Sequence, residues 1–140
     1  SGRGAFLWPL LDAFPDLRVT AIDVNEQRAT DLAAIGRGGL WRLSAAKMDA
    51  TKLEMEPKSF DGATLLEVLE HMPSPQLAAR EAVRVAKRFV IASVPSKADD
   101  NPEHIQLFTP ASLTALFTEA GARRVTIEHV PGHMISLALL

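Results

Sequence analysis

Apolar positions along this chain follow two alternating patterns: short near-continuous runs, and stripes repeating every three or four residues. The runs lie at 18–23 (RVTAID), 61–68 (DGATLLEV) and 88–94 (RFVIASV). Runs without polar alternation predict strands covered on both faces, as in a parallel sheet. A weaker run at 41–47 predicts an edge strand, with Trp41 partly exposed. The stripes predict helices. Ser74-Pro75 opens one as N-cap and first-turn proline, ahead of Leu77, Ala78, Ala82, Val85 and Ala86. Thr109-Pro110 opens another, with Leu113, Leu116, Phe117 and Ala120 at i, i+3, i+4 and i+7 and Gly121 where the helix stops. A third covers 25–35 with Gly36 behind it. A fourth covers 5–14, where Pro9 removes a backbone donor and kinks the helix or delays its start. Phe6, Trp8 and Phe14 are expected in the core beside Leu10 and Leu11. After a polar loop at 97–103 and the Thr109 helix, 123–129 alternates, Pro131-Gly132 turns and 133–140 is apolar, with His133 and Met134 packed. That is an antiparallel hairpin, and helix–strand alternation closed by it predicts an α/β sandwich with a mixed sheet.

At 140 residues the chain is one domain's worth, with 47% apolar and 23% charged residues, as in ordinary globular proteins. Fifteen Lys and Arg stand against seventeen Asp and Glu, a formal charge of -2, so no basic excess is available to follow a phosphate backbone. There is no cysteine, hence no disulfide framework, thiolate metal site or cysteine nucleophile. The apolar runs fall well short of the roughly 20 residues that span a bilayer. The N-terminus carries no signal-peptide pattern, so a soluble, cytoplasmic location and no membrane partner are expected.

Gly2-Arg3-Gly4 stands directly before an apolar helix. Glycines there let backbone N–H groups approach a ligand at the positive end of the helix dipole. Asp23 ends the next strand, where a carboxylate accepts hydrogen bonds from both hydroxyls of a ribose. The pair suits any adenosine-containing cofactor, and equally suits a helix start plus a strand-end Asp capping the helix from Asn25. A dinucleotide motif needs a third glycine where this chain has Leu7, which disfavours nicotinamide and flavin cofactors.

Taken in order, Gly2-x-Gly4, VTAID at 19–23, Met48-Asp49-Ala50, FDGATLLE at 60–67 and Val94-Pro95 make the chain resemble a class I S-adenosylmethionine-dependent methyltransferase of type 11/12. The resemblance runs from residue 1 to residue 140, terminal hairpin included. It implies a Rossmann-like three-layer α/β sandwich, a mostly parallel sheet with a C-terminal antiparallel hairpin strand, and S-adenosyl-L-methionine as cofactor. The implied cofactor-binding residues are Gly2, Gly4, Asp23, Val24, Asp49, Ala50 and Glu67. Gly2 and Gly4 would pass the methionyl part, Asp23 would hold the ribose, Asp49 would meet the adenine amino group beside the Ala50 N–H, and Glu67 with Val68 would line the floor beside the sulfonium. The family's glycine motif follows a first strand and reads G-x-G-x-G after an acidic residue, whereas only its second half stands here. A single, N-terminally incomplete domain is therefore expected, starting inside a longer chain or borrowing a strand from a second copy as a homodimer.

Glu67-x-x-Glu70-His71, with His104 before the Thr109 helix, has three readings. Two carboxylates and two imidazoles suit a divalent cation, and the pattern resembles the metal-binding residues of small-RNA 2′-O-methyltransferases and, in its first part, ubiquinone-pathway O-methyltransferases. His71 or His104 also suits a general base, since imidazole titrates near neutral pH. The plainest reading is that Glu70 and His71 cap the turn into the Ser74 helix. His71 and His104 are the catalytic candidates, and no residue is assigned to a metal. Arg84, Lys87 and Arg88 form a basic cluster at a helix end that suits the dipole and needs no ligand. The expected function is in-line methyl transfer to a small-molecule acceptor, for which the protein mainly aligns the reactants and excludes water. The alternatives are a metal-assisted RNA 2′-O-methyltransferase and a non-catalytic nucleoside-binding or dimerising module.

Overall fold

A computed structural model describes residues 5–98 and 100–140, which fall into two compact units divided after Ala50. Gly2 and Gly4 lie outside the described residues.

The first unit contains α1 (Leu7–Ala13), β1 (Val19–Asp23), α2 (Glu26–Arg37) and β2 (Leu43–Lys47). The two strands pair in parallel, from Val19 opposite Leu43 to Asp23 opposite Lys47. Pro9 is tolerated as the third residue of α1 because first-turn N–H groups have no partner inside a helix. Leu7 and Leu11, one turn apart, pack into a cluster with Ala21, Leu32 and Leu43. The aromatic residues do not join it: Phe6 is 47%, Trp8 38% and Phe14 59% exposed. A helix this short buries a single i, i+4 edge, and the leucines occupy it. Trp41 lies in a turn before β2, 69% exposed, with the Arg18 guanidinium 5.3 Å above its ring.

Asn25 caps α2, its side chain accepting from the Arg28 N–H at 3.1 Å. The helix does not stop at Gly36, as the glycine suggested, but runs on to Arg37. Gly36 serves a close approach instead: a Cβ there would overlap the carbonyl oxygen of Leu43 in β2. Gly39, at φ 132°, takes the turn that follows.

The second unit contains β3 (Phe60–Leu66), a 3₁₀ turn (Leu69–His71), α3 (Pro75–Val85), β4 (Ala86–Pro95), α4 (Pro110–Glu119), β5 (Arg124–Val130) and β6 (His133–Leu139). Its sheet runs β3-β4-β6-β5, with β3 and β4 parallel and β6 antiparallel to both its neighbours. The hairpin's second strand thus joins the sheet beside β4, through a turn in which Gly132 takes φ 84°. Val90, Ala92 and Val94 of β4 and Met134 and Ala138 of β6 are buried with Leu113 and Phe117 of α4. Thr109 and Ser112 cap α4 reciprocally, each side chain accepting from the other's backbone N–H, at 3.1 and 2.9 Å. Gly121, at φ 112°, ends it as expected.

The buried face of α3 is made of small residues, Ala78, Ala79 and Ala82, with Val85. Leu77 is 46% exposed, because it sits one residue, about 100°, off that face. Pro75 takes the first helical position, but the Ser74 side chain makes no capping bond. At its other end α3 passes into β4 with no connecting residue. Arg84 does more here than complement a dipole. Its guanidinium donates to the Glu81 carboxylate at 2.7 and 2.8 Å and to the carbonyls of Met55 and Leu53 at 2.7 and 2.9 Å. Glu81 also accepts from the Leu53 N–H at 2.7 Å, and the Arg84 carbonyl accepts from the Lys58 N–H at 2.8 Å. The segment before β3 is thereby fastened to the end of α3. Among the described residues, no helix is long and apolar enough to cross a membrane.

Candidate functional site

In the first unit, Asp23 ends β1 with its side chain largely covered. One carboxylate oxygen accepts from the Asn25 N–H at 2.9 Å, and the Arg28 guanidinium stands 3.9 Å from the other. Burial pushes this carboxyl up, while the Asn25 N–H and, less strongly, the Arg28 charge pull it down. Asp23 is therefore a charged acceptor at neutral pH. It also braces the chain ahead of α2, which the alternative reading of this residue required. Val24 is exposed, and beyond β2 Asp49 is exposed and Ala50 half-buried.

In the second unit, Glu67 leaves β3 at φ 51°, a left-handed conformation uncommon for a residue with a side chain. The neighbouring strands hold it there. Its N–H reaches the Ser93 carbonyl at 3.1 Å and hydroxyl at 3.2 Å, and its carboxylate accepts from that hydroxyl at 2.6 Å. The other carboxylate oxygen lies 3.3 Å from Nε2 of His133. His133 is thus not merely packed: the β4–β6 register sets it opposite Pro95, at the strand ends where Glu67 stands.

Glu70, in the 3₁₀ turn, is 0% exposed. Burial pushes its carboxyl above the usual glutamate value, with its own backbone N–H opposing, the Glu67 charge adding to the rise and His71 opposing. His71 Nδ1 lies 2.9 Å from the Glu103 carbonyl, which can only accept, so in the neutral ring Nδ1 carries the proton and Nε2 the lone pair. That Nε2 is 3.9 Å from the nearer Glu70 oxygen. The His104 ring is 4.8 Å from the His71 ring, tilted by 59°. Glu70 and His71 do not cap α3, because one is enclosed and the other faces the 101–107 loop.

That loop is fastened to the 3₁₀ turn. Ile105 N–H donates to the Glu70 carbonyl at 3.0 Å, and the Gln106 amide donates to the carbonyls of Leu69 and Met72. Pro95, Lys97, His104, Ile105 and Leu107 border a cavity of about 200 Å³ beside it. The structure therefore brings together Glu70, His71 and His104, with Glu67 beside Glu70 and also held by Ser93 and His133. Ser93, His133 and Gln106 escaped the sequence reading, since each meets its partner only through strand register or loop folding.

Residues 1–91 match the family model of the methyltransferase domain. No curated protein matches the chain significantly. Among solved structures, an S-adenosylmethionine-dependent methyltransferase from Aquifex aeolicus is 19% identical with a TM-score of 0.76, over 94% of this chain and 74% of that one. The (4+2)-cyclase SpnF is 23% identical with a TM-score of 0.69, over 85% of this chain and 48% of that one. Magnesium protoporphyrin IX methyltransferase from Synechocystis PCC 6803, solved with bound S-adenosylhomocysteine, is 16% identical with a TM-score of 0.70, over 94% and 67%. The chain thus spans about half the length of the cyclase and two thirds to three quarters of the two methyltransferases. At these identities the likeness is one of fold, the Rossmann-like α/β arrangement.

Proposed function

The chain belongs to the class I S-adenosylmethionine-dependent methyltransferase family, and from that premise we propose that it binds S-adenosyl-L-methionine and passes the methyl group to a small-molecule acceptor. The structural observation that carries the reading is Asp23, a largely covered carboxylate at the end of β1 that accepts from the Asn25 N–H. Such a group fits a ribose, whose hydroxyls need acceptors. Asp49 and the Ala50 N–H are proposed for the adenine edge, Val24 beside the ribose and Glu67 near the sulfonium.

When bound, the cofactor supplies the methyl group on an excellent leaving group. The chain's own residues are left with binding, alignment and exclusion of water. Where the acceptor is a hydroxyl its proton must leave, and His71 and His104 are the proposed agents of that step, directly or through what they hold. A near-neutral surface favours a small acceptor over nucleic acid.

Isothermal titration of the chain with S-adenosylhomocysteine tests the reading. Asp23→Ala is expected to weaken binding by about 30-fold, roughly 2 kcal/mol for lost hydrogen bonds to a charged group. Asp49→Ala should weaken it less, because one edge contact is removed instead of two. Equal or reversed losses would mean that the adenine and ribose roles are misassigned, and no affinity in the unaltered chain would favour a module without the cofactor. Because this fold also serves a (4+2)-cyclase, turnover needs its own assay, release of S-adenosylhomocysteine from S-adenosylmethionine with candidate acceptors.

A further inference from the structure

We infer that Ser93 and His133 are positioning residues: they fix the Glu67 carboxylate as a standing negative charge, which makes the site prefer the positive sulfonium of S-adenosyl-L-methionine to the neutral thioether of S-adenosylhomocysteine. The inference rests on the placement of Glu67 near the sulfonium proposed above. The family match ends at residue 91, so both positioning residues lie beyond it. All three residues belong to the second unit.

Glu67 is held against its own backbone preference. At φ 51° it is left-handed, and a residue with a side chain keeps that conformation where its surroundings over-determine it. Ser93 supplies most of the hold. It stands opposite Leu66 in the β3–β4 register, so the end of β3 delivers Glu67 directly beside it. The Glu67 N–H donates to both the carbonyl and the hydroxyl of Ser93, at 3.1 and 3.2 Å. The hydroxyl in turn donates to a Glu67 carboxylate oxygen at 2.6 Å, the length of a hydrogen bond assisted by charge. One serine thus closes a ring from the backbone of Glu67 to its own carboxylate.

His133 takes the other carboxylate oxygen, with Nε2 3.3 Å away. The hairpin is fastened at this point, because His133 pairs with Pro95 and the Ser96 N–H donates to the Gly132 carbonyl at 2.9 Å. Glu70 also stands beside Glu67, but burial drives it toward its uncharged form, so the standing charge belongs to Glu67. The strands need no such brace, since β3, β4 and β6 are already paired along their lengths. The Glu67 side chain is still 39% exposed, which leaves room for a ligand. A charge fixed in advance attracts a cation with no reorientation, whereas an uncharged thioether gains nothing from it.

Calorimetry of the full chain at about pH 8, above the ordinary imidazole range, compares the dissociation constants of the two ligands. Glu67→Gln should weaken S-adenosylmethionine about fivefold more than S-adenosylhomocysteine, the upper end for a partly exposed ion pair. Ser93→Ala and His133→Ala keep the carboxylate but release it, so each should lose about half of that preference. Ser93→Thr, which retains the hydroxyl, should restore it. Glu128→Gln, which removes an exposed carboxylate on β5, should change neither constant. Exchange of the Glu67 amide, followed by nuclear magnetic resonance without ligand, should quicken in Ser93→Ala. A purely structural brace would instead lower the unfolding temperature and weaken both ligands equally. If Glu67→Gln does not fold, Ser93→Ala and His133→Ala carry the test. An unchanged ratio of affinities in the variants would overturn the inference alone. Failure of the unaltered chain to bind either ligand would overturn the placement of the cofactor and the inference with it.

Discussion

Arg84→Ala should lower the urea midpoint of unfolding, followed by circular dichroism. Hydrogen bonds to charged groups contribute roughly 1.5–3 kcal/mol each when enclosed, and partial exposure reduces that figure here. The guanidinium makes four such contacts, to both oxygens of Glu81 and to the carbonyls of Leu53 and Met55. Removing it also leaves Glu81 half-covered without its cation. Arg84→Lys should recover less than half of the loss, because one ammonium cannot address a carboxylate and two carbonyls in a fixed fork. The pair has a pH signature as well. The hydrogen bond from Arg84 holds the Glu81 carboxyl below the usual glutamate value, against an opposing push from burial. A depressed carboxyl stabilises the fold above its unfolded-state value and loses that contribution as pH falls through the folded one. The gap between wild type and Arg84→Ala should therefore be full at neutral pH and shrink on acidification through the glutamate range. An unchanged midpoint, or a gap independent of pH, would mean the fastening is cosmetic.

Gly36→Ala should cost about 3 kcal/mol, the upper end for overpacking, although alanine is the better helix former by about 1 kcal/mol. The new methyl would meet the Leu43 carbonyl, and strand backbone paired to β1 cannot rotate aside as a side chain can. Gly39→Ala is the control. Nothing lies within 4 Å of a Cβ there, so only the strain of φ 132° is added, about 1–3 kcal/mol. Thermal unfolding, with hydrogen exchange of the β2 amides, distinguishes the two. Exchange should rise along β2 in Gly36→Ala alone, and unchanged or greater stability in that variant would show that α2 stands further from β2.

Much of this fold is legible in the residues, for reasons that are local. Thr109-Pro110 and Gly121 bound α4 because a reciprocal cap and a left-handed stop act within a few residues. The runs at 61–68 and 88–94 mark β3 and β4 to within a few residues, although the expectation of cover on both faces does not hold for β3, where only Leu65 is buried. What failed depended on which neighbour comes close. The aromatic residues of α1 read as core because hydrophobicity alone does not say which edge of a short helix is covered. Gly36 read as a stop because a close approach and a helix end both demand glycine. In the site, the spacing of Glu67, Glu70 and His71 suggested one cluster, and what it did not show is the left-handed turn that lets the Glu67 carboxylate also meet Ser93 and His133. The enclosure of Glu70 was equally invisible, since the loop around it is fastened by backbone groups of Glu103 and Ile105 whose side chains advertise nothing.

The direct passage from α3 into β4 constrains the chain in one more respect, its length. Val85 is the last helical residue and Ala86 the first of the strand, so no connecting loop is available to absorb an insertion or deletion, and the nearest slack is the register shift between Ala86 and Phe89. One residue added between them would either turn the Ala78–Ala82 face by about 100° or invert every side chain of β4 across the sheet. Either change would expose one buried set of residues while the other stayed in place. The spacing from Ala82 to Val90 is thus a counted interval, and variation in chain length among natural or engineered versions of this domain belongs in its loops and not at this junction.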